Sequence, residues 1–205
     1  MMKLLILGAA GRTGTLLVDQ AIAAGHVVTA FVRKEDALTN SNVKTIIGDA
    51  TNKQDLEKAL RGQDAVVSTL GPVKAGDKVV LTATAALIKL AKAEKVKRVI
   101  MMSSFLAASK FKPNPIIKFV LKLMAGIVSN YESAEQLFYQ SDLDYTIVYA
   151  TRLTNYPLNS QYRIVEGTDT VGGGNSISRA NVAEFLIKQL SDPTYVRDSV
   201  LITDK

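Results

Sequence analysis

Met1-Met-Lys-Leu-Leu-Ile-Leu-Gly-Ala-Ala-Gly-Arg-Thr-Gly14 opens the chain, and its reading decides the fold. Leu4 to Leu7 are uninterrupted apolar residues, the pattern of a strand buried on both faces of a parallel sheet. Gly8, Gly11 and Gly14 follow at three-residue spacing, and Leu16, Leu17, Val18, Ala21 and Ile22 continue as a helix up to Gly25. A glycine at the strand exit permits a sharp turn, a second leaves room for a pyrophosphate against main-chain N–H groups, and a third lets the helix lie close to the strand. The positive end of that helix then faces the anion. Gly8, Gly11, Arg12, Thr13 and Gly14 are therefore candidate dinucleotide contacts.

The stretch Val27-Val-Thr-Ala-Phe-Val32 reads as the second strand and delivers Arg33 and Lys34 at its end. In dinucleotide folds an acid about 20 residues beyond the glycine turn accepts from the adenosine ribose 2′-OH and selects NAD. Arg33 stands 19 residues after Gly14, and the strand end holds no acid until Glu35 and Asp36. A guanidinium there pairs with a 2′-phosphate, so NADP(H) is the expected cofactor, with Lys34 beside it and Arg12 in reach of the same phosphate.

Beyond this point strands and helices alternate. Val43–Ile47 is a third strand, followed by Gly48 and Asp49, a candidate acceptor from the adenine amino group or a cap for the next helix. Thr51 and Gln54 form a capping box for a helix over about 53–61. Asp64–Leu70 is the fourth strand, ending at Leu70, Gly71 and Pro72, where small residues let main chain lie against a ribose or nicotinamide. Val79–Val96 is a helix apolar around most of its circumference, which belongs in a core or against a partner subunit. Arg98–Met102 is the fifth strand and ends in Ser103 and Ser104. Ligands in such sheets lie beyond the carboxyl ends of strands, so both hydroxyls are expected in the nicotinamide and substrate region.

Residues 105–128 are the least regular part, rich in lysine and apolar residues, and are read as a possible flap over the substrate site. Ser129 and Glu132 offer a second capping box, for a helix through about Gln140. Leu143–Tyr149 is the sixth strand, with Thr151 and Arg152 emerging at its end. Tyr162–Val165 is a short strand, Gly172–Asn175 a turn, Ser178 the cap of a last helix over about 179–190, and Ser199–Thr203 a final strand. The implied fold is α/β: a single Rossmann-type doubly wound parallel sheet with helices on both faces, spanning residues 1–205 as one domain.

The totals narrow the chemistry. With no cysteine and one histidine, His26, the chain has neither thiolate chemistry nor a ligand set for zinc or copper, and no metal is expected. The net charge of +6 suits a phosphate-rich cofactor. The basic residues are scattered instead of interleaved with aromatics, which argues against nucleic acid. No signal pattern precedes the first strand, so a cytoplasmic location is expected. The lysine-bearing apolar segment is too short to span a bilayer, so no stable membrane insertion is expected. The expected partner is a small-molecule acceptor, and the protein is expected as a monomer or homodimer.

The glycine turn, Thr29-Ala-Phe-Val-Arg33, Gly48-Asp49, Gln63–Val67, Ser103-Ser104, and Ala134-Glu135 followed by Ser141-Asp-Leu-Asp-Tyr-Thr-Ile-Val148 together resemble one group. It is the atypical short-chain dehydrogenase/reductases, which include the biliverdin-IXβ/flavin reductases and the NmrA-like and NAD(P)H-binding proteins. Most enzymes of that superfamily carry Tyr-x-x-x-Lys, whose lysine lowers the pKa of the phenol. By the Ala-Glu and Ser-Asp-Leu-Asp landmarks, Tyr131 stands here where the lysine would be, and Ile127 where the tyrosine would be. Glu135, four residues after Tyr131, would raise the phenol's pKa. The resemblance places Ser104 at the position of the reductases' site serine, and Arg152 at that of their histidine. It implies an NADPH-dependent reductase of a conjugated acceptor such as a flavin or quinone, with Ser104, Arg152 and Tyr131 shaping the acceptor site. The alternative is a non-catalytic NADP(H)-binding redox sensor of NmrA-like type.

Overall fold

The computed structural model describes residues 1–38, 40, 43–72, 74, 76–108, 122–166, 171 and 174–205. Strands β1 (Lys3–Leu7), β2 (Val27–Val32), β3 (Lys44–Ile47), β4 (Ala65–Ser68), β5 (Arg98–Ser104), β6 (Asp144–Ala150) and β10 (Asp198–Asp204) lie parallel. At one edge β8 (Tyr162–Val165) runs antiparallel to β10. The spatial order is β3-β2-β1-β4-β5-β6-β10-β8. Five α-helices flank the sheet among the described residues: α1 (Arg12–Ala23), α2 (Lys53–Leu60), α3 (Val79–Ala93), α4 (Ala125–Tyr139) and α5 (Arg179–Lys188). None is long and apolar enough to cross a membrane.

Alternation along β1 explains why its apolar run is unbroken. Leu5 and Leu7 enter a core with Leu56 and Leu60 of α2, Leu87 of α3 and Phe138 of α4. Leu4 and Ile6 enter the opposite core with Leu17 and Val18 of α1 and Val182 and Phe185 of α5. Successive side chains of a strand take opposite faces, so a strand covered on both sides must be apolar throughout. The apolar circumference of α3 is used in the same way: Val80, Ala83, Leu87, Leu90 and Ala91 all lie in the first core.

The chain moves outward from β1 through β2 to β3, then crosses back to β4 on the other side of β1. The order of strands therefore reverses between β1 and β4, and the carboxyl ends of these two strands open a crevice where doubly wound sheets take ligands.

Local details depart from the sequence expectations in four places. The cap of α2 is Asn52, whose side-chain oxygen accepts from Gln54 N at 2.9 Å and Asp55 N at 3.3 Å. Thr51 is diverted: its hydroxyl and its N–H both donate to Asp49. The helix expected to open at Ser129 starts a turn earlier, at Ala125, and Ser129 Oγ donates back to Gly126 O within that first turn. Phe105–Ala107 form a 3-10 turn, and residues 125–128 belong to α4. The rest of the expected flap, residues 109–121, lies outside the described residues, as do Gly172 and Gly173. Finally, Arg152–Thr154 (β7) pairs in parallel with Ser176–Ser178 (β9) as a separate two-stranded sheet that periodicity did not reveal. Ser178 does cap α5, accepting from Asn181 N.

Candidate functional site

The turn from β1 to α1 is built for close approach. Gly8 has φ +78°, and a Cβ there would also stand 3.0 Å from Thr69. A Cβ on Gly14 would lie 2.1 Å from the carbonyl oxygen of Gly8, so only glycine lets α1 sit this near the strand. Gly11 N donates to Gly8 O at 2.9 Å and closes the turn. The helix it opens has no side-chain cap and no acid in its first turn. Its free N–H groups and positive pole are thus left for an anion.

A cavity of about 480 Å³ starts at this turn. One wall is Gly8, Ala10 and Gly11; Val32 and Arg33 line it at the end of β2, and Gly48, Asp49 and Thr51 at the end of β3. Thr69, Leu70 and Gly71 after β4, with Asp77 and Val79 at the start of α3, complete it. Asp49 Oδ1 accepts from Thr51 N at 2.8 Å and from Thr51 Oγ1 at 2.7 Å. Those bonds, helped by the charge of Arg33, hold the Asp49 carboxyl below the usual carboxylate range. An ionised acceptor and a guanidinium therefore share the end of the cavity where an adenosine would lie. Glycines that leave main chain bare, an uncapped helix pole and a distal guanidinium fit a dinucleotide with a phosphorylated ribose.

Gly8, Gly11, Arg33, Asp49, Leu70 and Gly71 are thus brought together around one cavity. The other sequence candidates stand elsewhere. Thr13 is buried, and Gly14 supports the turn from behind. Arg12 and Lys34 are exposed and do not line the cavity. The charge of Arg12 is felt by Arg179 of α5, whose pKa is lowered by burial and then by Arg12, whereas that of Arg33 is felt by Asp49.

At the carboxyl end of β5 the two serines separate. Ser104 Oγ accepts from Leu106 N at 3.3 Å and caps the 3-10 turn. Ser103 is 2% exposed and turns away, donating to Glu135 Oε1 at 2.6 Å. Consecutive strand residues point to opposite faces, so both hydroxyls could not have entered the site. Thr151 is also withdrawn, donating to Thr203 Oγ1 at 3.1 Å. Arg152 is exposed at the head of β7, opposite Ser176.

Tyr131 reaches the rim: its hydroxyl lies 3.1 Å from where a Cβ of Gly71 would be. Burial, and then the charge of Glu135, pushes its phenol up to about 12. Glu135, 3% exposed, also accepts at Oε2 from Tyr149 Oη at 2.7 Å. Burial pushes its carboxyl up to about 7, against the opposing effect of the Ser103 and Tyr149 hydrogen bonds. Ser103 and Tyr149 are ladder partners in β5 and β6, so they present their hydroxyls side by side to one carboxyl group. Sequence reasoning treated Glu135 as a neighbour of Tyr131 and missed this network. It missed Asn130 as well, whose amide accepts from Leu81 N at 2.9 Å and donates to Asp77 O, tying the start of α3 to α4. The available signal was a polar pair, Asn130 and Glu135, spaced along an otherwise apolar helix face.

Residues 8–193 match the model of a family described as NAD(P)H-binding. The chain belongs to that NAD(P)H-binding family. It is 29% identical over 203 residues to an uncharacterized chloroplastic protein of Arabidopsis thaliana, covering 92% of this chain and 71% of the relative. An isoflavone reductase homolog of Nicotiana tabacum is 31% identical over 88 residues, 38% of this chain and 28% of its own length. That likeness therefore concerns a minor part of the plant reductase. Among solved structures, a short-chain dehydrogenase/reductase of Veillonella parvula in complex with NADP superimposes with a TM-score of 0.79 at 23% identity. That match covers 98% of this chain and 94% of the neighbour. The anaerobilin reductase ChuY of Escherichia coli O157:H7 gives 0.81 at 20% identity, over 98% and 97%. The solved structures share this Rossmann-type fold, and the family match places the chain among NAD(P)H-binding proteins.

Proposed function

We propose that the protein is an NADPH-dependent reductase that transfers a hydride to a flat conjugated acceptor, such as a flavin, a quinone or a linear tetrapyrrole. The observation that carries the cofactor preference is Arg33 on the cavity wall beside Asp49. A fixed planar cation at that site pairs with a 2′-phosphate, and a lone ribose hydroxyl gains nothing from it. When bound, the cofactor supplies the hydride from its dihydronicotinamide ring.

The acceptor class follows from the acid–base groups present. Tyr131 is held neutral by burial and by Glu135, the opposite of the activated phenol that reduction of an isolated carbonyl requires. A conjugated ring spreads the incoming electron pair and needs only a weak proton donor. Arg152 and Ser104 stand at the carboxyl ends of the central strands, where an anionic or carbonyl-rich acceptor would be met. The NADP complex and the anaerobilin reductase among the structural neighbours support this reading by analogy.

Stopped-flow oxidation of NADPH against a panel of flavins, quinones and linear tetrapyrroles tests it. Turnover of at least one, with NADPH preferred to NADH, is the expected result. Tight binding of both redox states of the cofactor with no acceptor reduced would instead favour a redox sensor.

A further inference from the structure

Glu135, Tyr149 and Tyr139 do not line the cavity, and burying a carboxyl group carries a free-energy cost. Glu135 Oε2 accepts from Tyr149 Oη at 2.7 Å, and Tyr149 Oη lies 3.4 Å from Tyr139 Oη. Tyr139 is 40% exposed. One helical turn before Glu135, and so on the same face of α4, Tyr131 sets its hydroxyl against Gly71 at the cavity rim. The ionisable and hydroxyl groups that face Glu135 are Tyr131 and Glu132 from α4, Ser103 from β5 and Tyr149 from β6. Hydroxyls in mutual reach thus lead from the surface to Glu135, and Tyr131, whose phenol feels the Glu135 charge, stands one helical turn away at the cavity rim.

We propose that Tyr139, Tyr149 and Glu135 pass protons inward to Tyr131, which gives one to the acceptor after the hydride has arrived. This rests on the reductase reading above. In the step proposed, the acceptor gains an electron pair and one hydrogen from the nicotinamide. A new bond then forms between its anionic atom and the Tyr131 hydroxyl proton as that O–H bond breaks. The Tyr131 oxygen takes the proton of the Glu135 carboxyl. The carboxylate is refilled from Tyr149, Tyr149 from Tyr139, and Tyr139 from surface water. Glu135 is a positioning residue in this scheme, acting only through Tyr131.

Infrared titration of the ligand-free protein tests the path without any turnover. A protonated carboxyl band that disappears near pH 7 is expected in the wild type and should be missing from Glu135→Gln, which can accept from one of Ser103 and Tyr149 while donating to the other. Deuterium exchange of that band should slow several-fold in Tyr149→Phe, and also in Tyr139→Phe, whose partly exposed site makes misfolding no explanation. With whichever acceptor turns over, Glu135→Gln should lower kcat by roughly 100-fold, the lower end of the range of a lost proton donor. It should leave the KM for NADPH unchanged and erase the fall in rate above neutral pH. A band that survives in Glu135→Gln, exchange indifferent to both tyrosines, or an unchanged kcat and pH profile would overturn the proposal. If the wild type reduces no acceptor, the reductase reading and the delivery step fall together. The infrared exchange then separately decides whether the path conducts.

Discussion

Glu135→Gln offers a thermodynamic measurement that needs neither cofactor nor acceptor. Burial moves the carboxyl from its ordinary value of 4.5 to about 7. Each pKa unit corresponds to roughly 1.4 kcal/mol, so the shift is worth about 3 kcal/mol. The folded protein binds the proton more tightly than the unfolded chain, and between about pH 4.5 and 7 it therefore holds more protons. Stability must fall as pH rises through that window and level off above it, because the unfolded chain ionises first while the folded one resists. Below the window both states are protonated and nothing is lost. Glutamine has the shape but not the charge, so this slope should vanish in the variant, while every other titrating group contributes equally to both proteins. Urea unfolding followed by circular dichroism at several pH values from 4 to 8 supplies the comparison. The wild type should lose about 3 kcal/mol more than the variant over that range. Parallel curves would refute the argument, since they would mean that Glu135 ionises in the fold as easily as in water.

Other substitutions examine separate links. Arg33→Ala should weaken NADPH binding by roughly 1.5–3 kcal/mol, a charged hydrogen bond's worth, while NADH binding stays nearly constant; calorimetry showing equal losses would remove the 2′-phosphate assignment. Gly14→Ala places a Cβ 2.1 Å from Gly8 O. Main chain cannot rotate away, so a loss of roughly 1–3 kcal/mol or more is expected in thermal unfolding, together with poorer cofactor binding. Asn130→Ala removes the hydrogen bonds from Leu81 N and to Asp77 O and should cost roughly 1–3 kcal/mol. Because Asp77 and Val79 line the cavity, cofactor affinity should fall with it, and an unchanged affinity would count against that wall's role.

The elements read most directly from sequence are those in which one local requirement acts alone. The leucine run needs two apolar faces, and Gly8 and Gly14 need conformations or contacts closed to other residues. Asn52 against Thr51 is a closer competition. Both can cap α2, and the outcome turned on Asp49 two residues before, which recruited the threonine. The β7–β9 pair spans three residues each, too few for a period to register. That Arg33 and Asp49 would face one cavity was legible because both stand at the carboxyl ends of neighbouring strands. The Ser103–Glu135–Tyr149 cluster was not, because its members lie on three elements and meet only through the β5–β6 register.

That register also bears on why the acid is tolerated. A buried carboxyl with one partner would leave an oxygen unsatisfied in an apolar layer, at the cost of a desolvated acceptor. Ladder pairing of Ser103 with Tyr149 places two donors side by side, and Glu135 spans them with one oxygen each, at 2.6 and 2.7 Å. Had the aim been stability alone, an apolar residue at position 135 would join Ala134 and Phe138 in the surrounding core and escape the pH penalty altogether. The group instead sits one helical turn from the residue that touches the cavity rim, with a hydroxyl leading to the surface on its other side. An expense of this size, placed between solvent and the ligand site, fits a proton held for transfer better than it fits a strut.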